Sequence, residues 1–69
     1  MNKVSFSNVL KELREEKGIS QAKLGNILKL NQSTIAKYET GEREPSIEIL
    51  IKIAEFFGVS VGYLVGVED

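Results

Sequence analysis

The 69-residue sequence has no cysteine and no histidine. Disulfides, zinc-finger ligation and histidine acid–base catalysis are excluded with them. It has no apolar run near the roughly 18 residues that a membrane helix needs, and no signal peptide is visible. The expectation is a soluble cytoplasmic chain. Internal repeats and low-complexity segments are lacking as well. So is any excess of positive charge: nine Lys and Arg face ten Asp and Glu, for a net charge of −1. Taken alone, that total weighs against a nucleic-acid partner.

What is present suffices for one small folded domain spanning residues 1–69. The apolar fraction of 42% is ordinary for a globular chain and argues against disorder. A domain this short buries only roughly 60% of its unfolded surface, so its packing must be good. Enzyme chemistry has little to draw on. The carboxylates of Glu12, Glu15 and Glu16 belong to the outer face of a helix, and so small a domain has little room for a pocket of roughly 300 Å³. No catalytic residue, cofactor, metal or small-molecule ligand is implied.

The charge is unevenly spread. Met1–Ile19 carries four basic and three acidic residues, Ser20–Arg43 four and two, and Glu44–Asp69 one and five. Binding follows the local field rather than the total. Within the basic middle third, the stretch SQAKLGNILKLNQSTIAKY, from Ser20 to Tyr38, has three lysines and no acidic residue. Leu24, Ile27 and Leu28 follow i, i+3, i+4 spacing, and Ile35 and Tyr38 follow i, i+3. Two short helical faces are thus separated by a brief interruption. Two helices joined by about three residues form a helix-turn-helix, whose second helix can enter the major groove of DNA.

Caps and stops predict five helices. The first runs from Ser5 or Phe6 to Lys17, with Phe6, Val9, Leu10 and Leu13 on one face, and stops at Gly18. The second runs from Gln21 to Leu28, capped by Ser20, with Ile19 and Leu24 as a hydrophobic staple. Gly25 inside it costs about 1 kcal/mol against alanine, which suggests close approach of another helix. Lys29 and Leu30 form the turn. The third helix runs from Gln32 to Thr40, capped by Asn31, with Leu30 and Ile35 in staple positions and Gly41 as the stop. At about 100° per residue, Ile35 and Tyr38 face inward, and Ser33, Ala36, Lys37 and Thr40 face outward with Gln32 at the flank. After a polar loop containing Pro45, the fourth helix runs from Ile47 to Phe57, capped by Ser46. Ile47, Leu50, Ile51, Ala54 and Phe57 are its apolar positions, widened by Ile49, Ile53 and Phe56. That width predicts packing on more than one side. Ser60 caps a last short helix from Val61 to about Val65, with Val59 and Leu64 as its staple. Met1–Val4 reads as a fraying tail, or else as an arm touching DNA, and Val67–Asp69 as a tail.

The outward edge of the third helix offers Gln32, Ser33, Thr34 and Lys37. Glutamine can pair with adenine in bidentate fashion, lysine suits guanine O6 and N7, and the hydroxyls can take a base or a phosphate. Composition alone would make this an ordinary solvated face.

In register, Gln21, Gly25, the apolar positions Leu24, Leu28, Leu30 and Ile35, the pair Tyr38-Glu39 and the segment Gly41-Glu-Arg-Glu-Pro45-Ser46 tip the balance. From about Phe6 to Leu64 the chain resembles the phage-repressor-like, or XRE, helix-turn-helix family. The resemblance implies an all-α, compact five-helix lambda-repressor-like domain with its helix-turn-helix at about residues 20–40. The implied function is a transcriptional regulator of bacterial or phage origin, most simply a repressor, bound to double-stranded DNA on the nucleoid. It would act as a homodimer with recognition helices roughly 34–36 Å apart. The resemblance assigns base reading to Gln32, Ser33 and Lys37. Gln21 would bond a phosphate or brace the recognition helix, Asn31 would cap and touch backbone, and Thr34 would contact backbone or cap. Lys23, Lys29 and Arg43 are candidate phosphate neutralisers. Arg14 and Glu39 would form a partly buried structural salt bridge. Lys29 departs from the family, which often has glycine there. The dimer surface is expected in the C-terminal part, among Val59, Val61, Tyr63, Leu64, Val65 and Val67, although these residues also suffice to close the core. A different class of function, a protein-interaction module such as an antitoxin or adaptor on the same fold, suits the acidic C-terminal third.

Overall fold

A computed structural model describes residues 5–67. The expected tail Met1–Val4 and the last two residues of Val67–Asp69 lie outside the described residues. Five helices follow one another: α1 (Phe6–Lys17), α2 (Gln21–Leu28), α3 (Gln32–Thr40), α4 (Ile47–Phe57) and α5 (Val61–Leu64). The fifth stops one residue short of the expected end, because Gly66 turns the chain with φ of 84°.

Each helix begins at a side-chain cap. Ser5, Ser20, Asn31, Ser46 and Ser60 accept hydrogen bonds from the backbone N–H three residues on, at 3.3, 3.0, 3.0, 3.2 and 2.9 Å. Each bond occupies a first-turn donor with no partner inside its helix, worth typically about 1 kcal/mol. The helices then meet around one core. Leu10 of α1, Leu24 of α2, Ile35 of α3, Ile53 of α4 and Leu64 of α5 are fully buried, so every helix contributes one large aliphatic side chain. Val9, Leu28, Tyr38 and Ala54 complete the buried set, and the staple residues Ile19, Leu30 and Val59 pack against it. The rings of Phe6 and Tyr38 meet edge-on at 5.9 Å, joining α1 to α3.

Several expectations need correction. Gly25 does not admit a neighbouring helix. A Cβ there would lie 2.6 Å from the Leu30 carbonyl oxygen, so the close approach is that of the chain's own turn. Ile27 is 38% exposed rather than packed inward, because Leu24 and Leu28, one turn apart, already supply the buried edge of this eight-residue helix. Ala36 is half-buried, not outward. On α4 the buried residues are Ile53 and Ala54, whereas Ile47 and Ile51 are 63% and 45% exposed. Among the described residues no helix is long and apolar enough to cross a membrane.

Candidate nucleic-acid interface

The α2–α3 junction sets the direction of α3. Lys29 ends α2 in the left-handed conformation, φ 61° and ψ 40°, and is the one non-glycine residue with positive φ among those described. A side chain in that conformation costs about 1–2 kcal/mol. The N–H of Leu30 then bonds the Gly25 carbonyl at 2.7 Å, which draws the turn tight against α2. Only a residue without Cβ fits beneath it.

Asn31 organises the start of α3. Its Oδ1 accepts from the Thr34 N–H at 3.0 Å, the Thr34 hydroxyl at 2.8 Å and the Ser33 hydroxyl at 2.9 Å. A backbone N–H can only donate, so this contact identifies the amide oxygen and turns the Asn31 NH₂ away from the helix. The Ser33 proton is committed to Asn31, which leaves the Ser33 lone pairs as what its hydroxyl offers to other groups. Thr34 is half-buried and joins the cap, whereas Gln32, Ser33, Lys37 and Thr40 are exposed along one edge of α3.

Behind that edge lies a polar brace. Arg14 of α1 donates through Nε to Glu39 Oε2 at 2.6 Å and through Nη2 to Oε1 at 3.1 Å, a bidentate pair. Its Nη1 donates to the Ile19 carbonyl at 2.9 Å, so the same guanidinium also holds the α1–α2 loop. Gln21 of α2 donates through Nε2 to Glu39 Oε1 at 3.0 Å. The Arg14 and Glu39 side chains are 12% and 4% exposed. The hydrogen bond to Glu39 raises the Arg14 pKa above its ordinary value. Burial opposes the rise, and the charges of Glu39 and Glu15 reinforce it. One carboxylate on α3 therefore receives donors from both preceding helices.

The candidate phosphate contacts Lys23, Lys29 and Arg43 are all exposed. Lys23 lies in the first turn of α2 and Lys29 at its end, while Arg43 lines a cleft with Ser5, Gly41 and Pro45 beyond the end of α3. The three therefore border the α2–α3 unit at separate points rather than forming one cluster. Surface clefts of about 370, 400 and 330 Å³ lie between the helices. They are open grooves between helix edges, and among the described residues no group of three or more acidic side chains is placed to hold a metal.

Residues 10–64 match the model of the Helix-turn-helix family. The chain belongs to that family. Among its helix-turn-helix relatives, the cryptic phage CTXphi transcriptional repressor RstR of Vibrio cholerae is 33% identical over 60 residues, which cover 87% of this chain and 54% of RstR. The SPbeta prophage-derived uncharacterized HTH-type transcriptional regulator YonR of Bacillus subtilis is 36% identical over 59 residues, covering 86% of this chain and 55% of YonR. The chain thus spans about half the length of these curated relatives. Among solved structures, the P22 c2 repressor in complex with synthetic operator 9T superimposes with a TM-score of 0.87 at 25% identity, covering 94% of this chain and 98% of that one. The five-helix architecture expected for the helix-turn-helix family is the one observed.

Two residues that the sequence reading misses enter the site through bonds that spacing alone does not reveal. Ile19 enters the brace through its carbonyl, and Ser33 enters the cap through a side chain two residues away. A Ser or Thr at the second or third position after an Asn cap is the local signal for the latter.

Proposed function

We infer that the chain is a sequence-specific regulator of transcription that binds double-stranded DNA, acts as a repressor in the cytoplasm, and works as a homodimer. The observation that carries this reading is the exposed edge of α3. Gln32, Ser33 and Lys37 stand on one side of a helix whose other side is held by Ile35, Tyr38 and the Arg14–Glu39–Gln21 brace. A rigid helix presenting polar tips, in a family whose relatives are named repressors and regulators, suits entry into the major groove. Gln32 pairs with adenine and Lys37 with guanine. Ser33, with its proton committed to Asn31, accepts from an exocyclic amine of adenine or cytosine. Gln21, the Asn31 NH₂, Lys23, Lys29 and Arg43 hold the phosphates on either side, and first-turn N–H groups at the α2 and α3 starts favour anions there.

Selection from a pool of random duplexes with the purified chain tests this. The expected result is enrichment of a two-fold symmetric site, with affinity that falls steeply with salt and drops on Lys37→Ala. A pool that stays random after repeated rounds would overturn it. It would favour the alternative, a protein-interaction module such as an antitoxin or adaptor, for which the acidic C-terminal third, with one basic and five acidic residues, is the supporting observation.

A further inference from the structure

The first turn of α3 sorts its polar groups into donors and acceptors before any partner arrives. Three hydrogen bonds converge on Asn31 Oδ1, from the Thr34 N–H at 3.0 Å, the Thr34 hydroxyl at 2.8 Å and the Ser33 hydroxyl at 2.9 Å. An amide oxygen can only accept, so the Ser33 hydroxyl is the donor in its bond. The hydroxyl protons of Ser33 and Thr34 are both committed inside the protein. What Ser33 Oγ still offers is its lone pairs. Ser33 is exposed on the edge of α3 that carries Gln32 and Lys37, whereas Thr34 is half-buried.

A free serine hydroxyl discriminates poorly among bases, because it rotates to donate or to accept. One whose proton is held accepts only. Opposite adenine N6 or cytosine N4, its lone pair meets a donor. Opposite guanine O6 or thymine O4, two acceptors face each other, and either both stay unpaired or the bond to Asn31 breaks. We propose that Asn31 is a positioning residue for base recognition. By holding the Ser33 proton it makes Ser33 a one-way acceptor, so the bound site carries an amine-bearing base, adenine or cytosine, where Ser33 touches it. This rests on the DNA-binding reading of α3 and adds a residue that selects a base through its neighbour. Capping and selection share one oxygen, and substitution separates them. Asn31→Gly removes the acceptor and frees the Ser33 proton at a position where glycine is a tolerated cap. Asn31→Asp keeps an acceptor for all three donors but replaces the NH₂ by negative charge beside the phosphates.

Fluorescence anisotropy with the duplex selected by the wild type, and with variants of that duplex, tests this. The base pair that Ser33 reads is the one at which Ser33→Ala changes selectivity. A transition at that pair exchanges amine and carbonyl in place, and should cost the wild type about tenfold or more in affinity. Deleting the amine alone, with purine for adenine or 2-pyrimidinone for cytosine, should cost the wild type about threefold or more and leave Ser33→Ala unaffected. Asn31→Asp should bind every duplex more weakly yet keep the wild-type preference at that pair. Asn31→Gly should reduce the preference to within about threefold, with helix content by circular dichroism equal to wild type. A cap that served folding alone would change melting temperature and overall affinity but not the preference. A Ser33→Ala that alters no position, a wild type indifferent to amine deletion, an Asn31→Gly that keeps the full preference or an Asn31→Asp that loses it would each overturn the proposal. Amine deletion and Asn31→Asp decide the matter even if Asn31→Gly disturbs folding. Any of these failures on an enriched site leaves the DNA-binding reading standing, whereas a pool with no enriched site overturns that reading and this proposal with it.

Discussion

Glu39 on α3 receives the Arg14 guanidinium of α1 through two hydrogen bonds, across 25 residues of sequence, and both side chains are nearly hidden from water. Charge-assisted bidentate bonds of this kind are geometrically demanding, so the pair fixes the angle between the two helices more than it adds net stability. Removing one partner strands the other charge. Arg14→Ala is expected to cost about 3 kcal/mol, while Lys11→Ala on the exposed face of α1 stays within about 0.5 kcal/mol. Urea denaturation of the two variants measures the difference, and equal midpoints would remove the idea.

The same pair sets a pH expectation. The Arg14 pKa is raised in the folded chain, chiefly by its hydrogen bond to Glu39. A raised folded pKa gives stability that is fully present below the unfolded value and lost only as pH climbs through the folded one. For an arginine both values lie beyond the working range. The stability gap between wild type and Arg14→Ala should therefore be unchanged from about pH 6 to about pH 9. Thermal unfolding across that interval checks this, and a gap that closes toward the alkaline side would contradict it.

Lys29 is strained where glycine would not be. Lys29→Gly relieves the left-handed penalty but gives the unfolded chain more freedom, for a net gain of about 0.5–1 kcal/mol. If the ammonium also meets a phosphate, the variant should bind DNA more weakly, with the salt slope reduced by about one. A higher melting temperature with weaker binding is the expected signature. A lower melting temperature would mean that the Lys29 side chain stabilises the fold by a route other than charge.

Gly25→Ala should run against helix propensity. An alanine inside α2 would ordinarily gain about 1 kcal/mol. Its Cβ would meet the Leu30 carbonyl oxygen at 2.6 Å, and backbone cannot swing aside as a side chain can. A net loss of about 2 kcal/mol is expected by chemical denaturation. Unchanged or increased stability would show that the turn yields.

On the exposed edge of α3 the two readouts should separate. Gln32→Ala, Ser33→Ala and Lys37→Ala are each expected to cost about 1–3 kcal/mol in specific DNA affinity and to relax selectivity at one base position. Melting temperatures should barely move for Gln32→Ala and Lys37→Ala, whose positions are exposed. Fluorescence anisotropy on a selected duplex and on single-base variants measures both effects. A uniform loss across all sequences would reassign the residue to the phosphates.

By itself the sequence determined the helices and most of their limits. A serine or asparagine cap bonds an N–H three residues on, and the residue after the helix turns into the left-handed region. Both are local, so α2, α3 and α4 begin and end where the caps and stops place them. The brace entered through the family resemblance, which placed Arg14 beside Glu39 and offered Gln21 as a brace for the recognition helix, but no spacing along the chain reveals that Gln21 bonds Glu39 itself or that the Ile19 carbonyl takes part. Those contacts and the choice of Ile53 over Ile47 and Ile51 for the core depend on how the helices lie against one another, whereas Gly25 is required by the tight turn that follows its own helix. On α4, whose apolar residues leave almost no polar side, periodicity cannot say which face turns inward. Tertiary packing turned Ile53 and Ala54 inward and left Ile47 and Ile51 exposed.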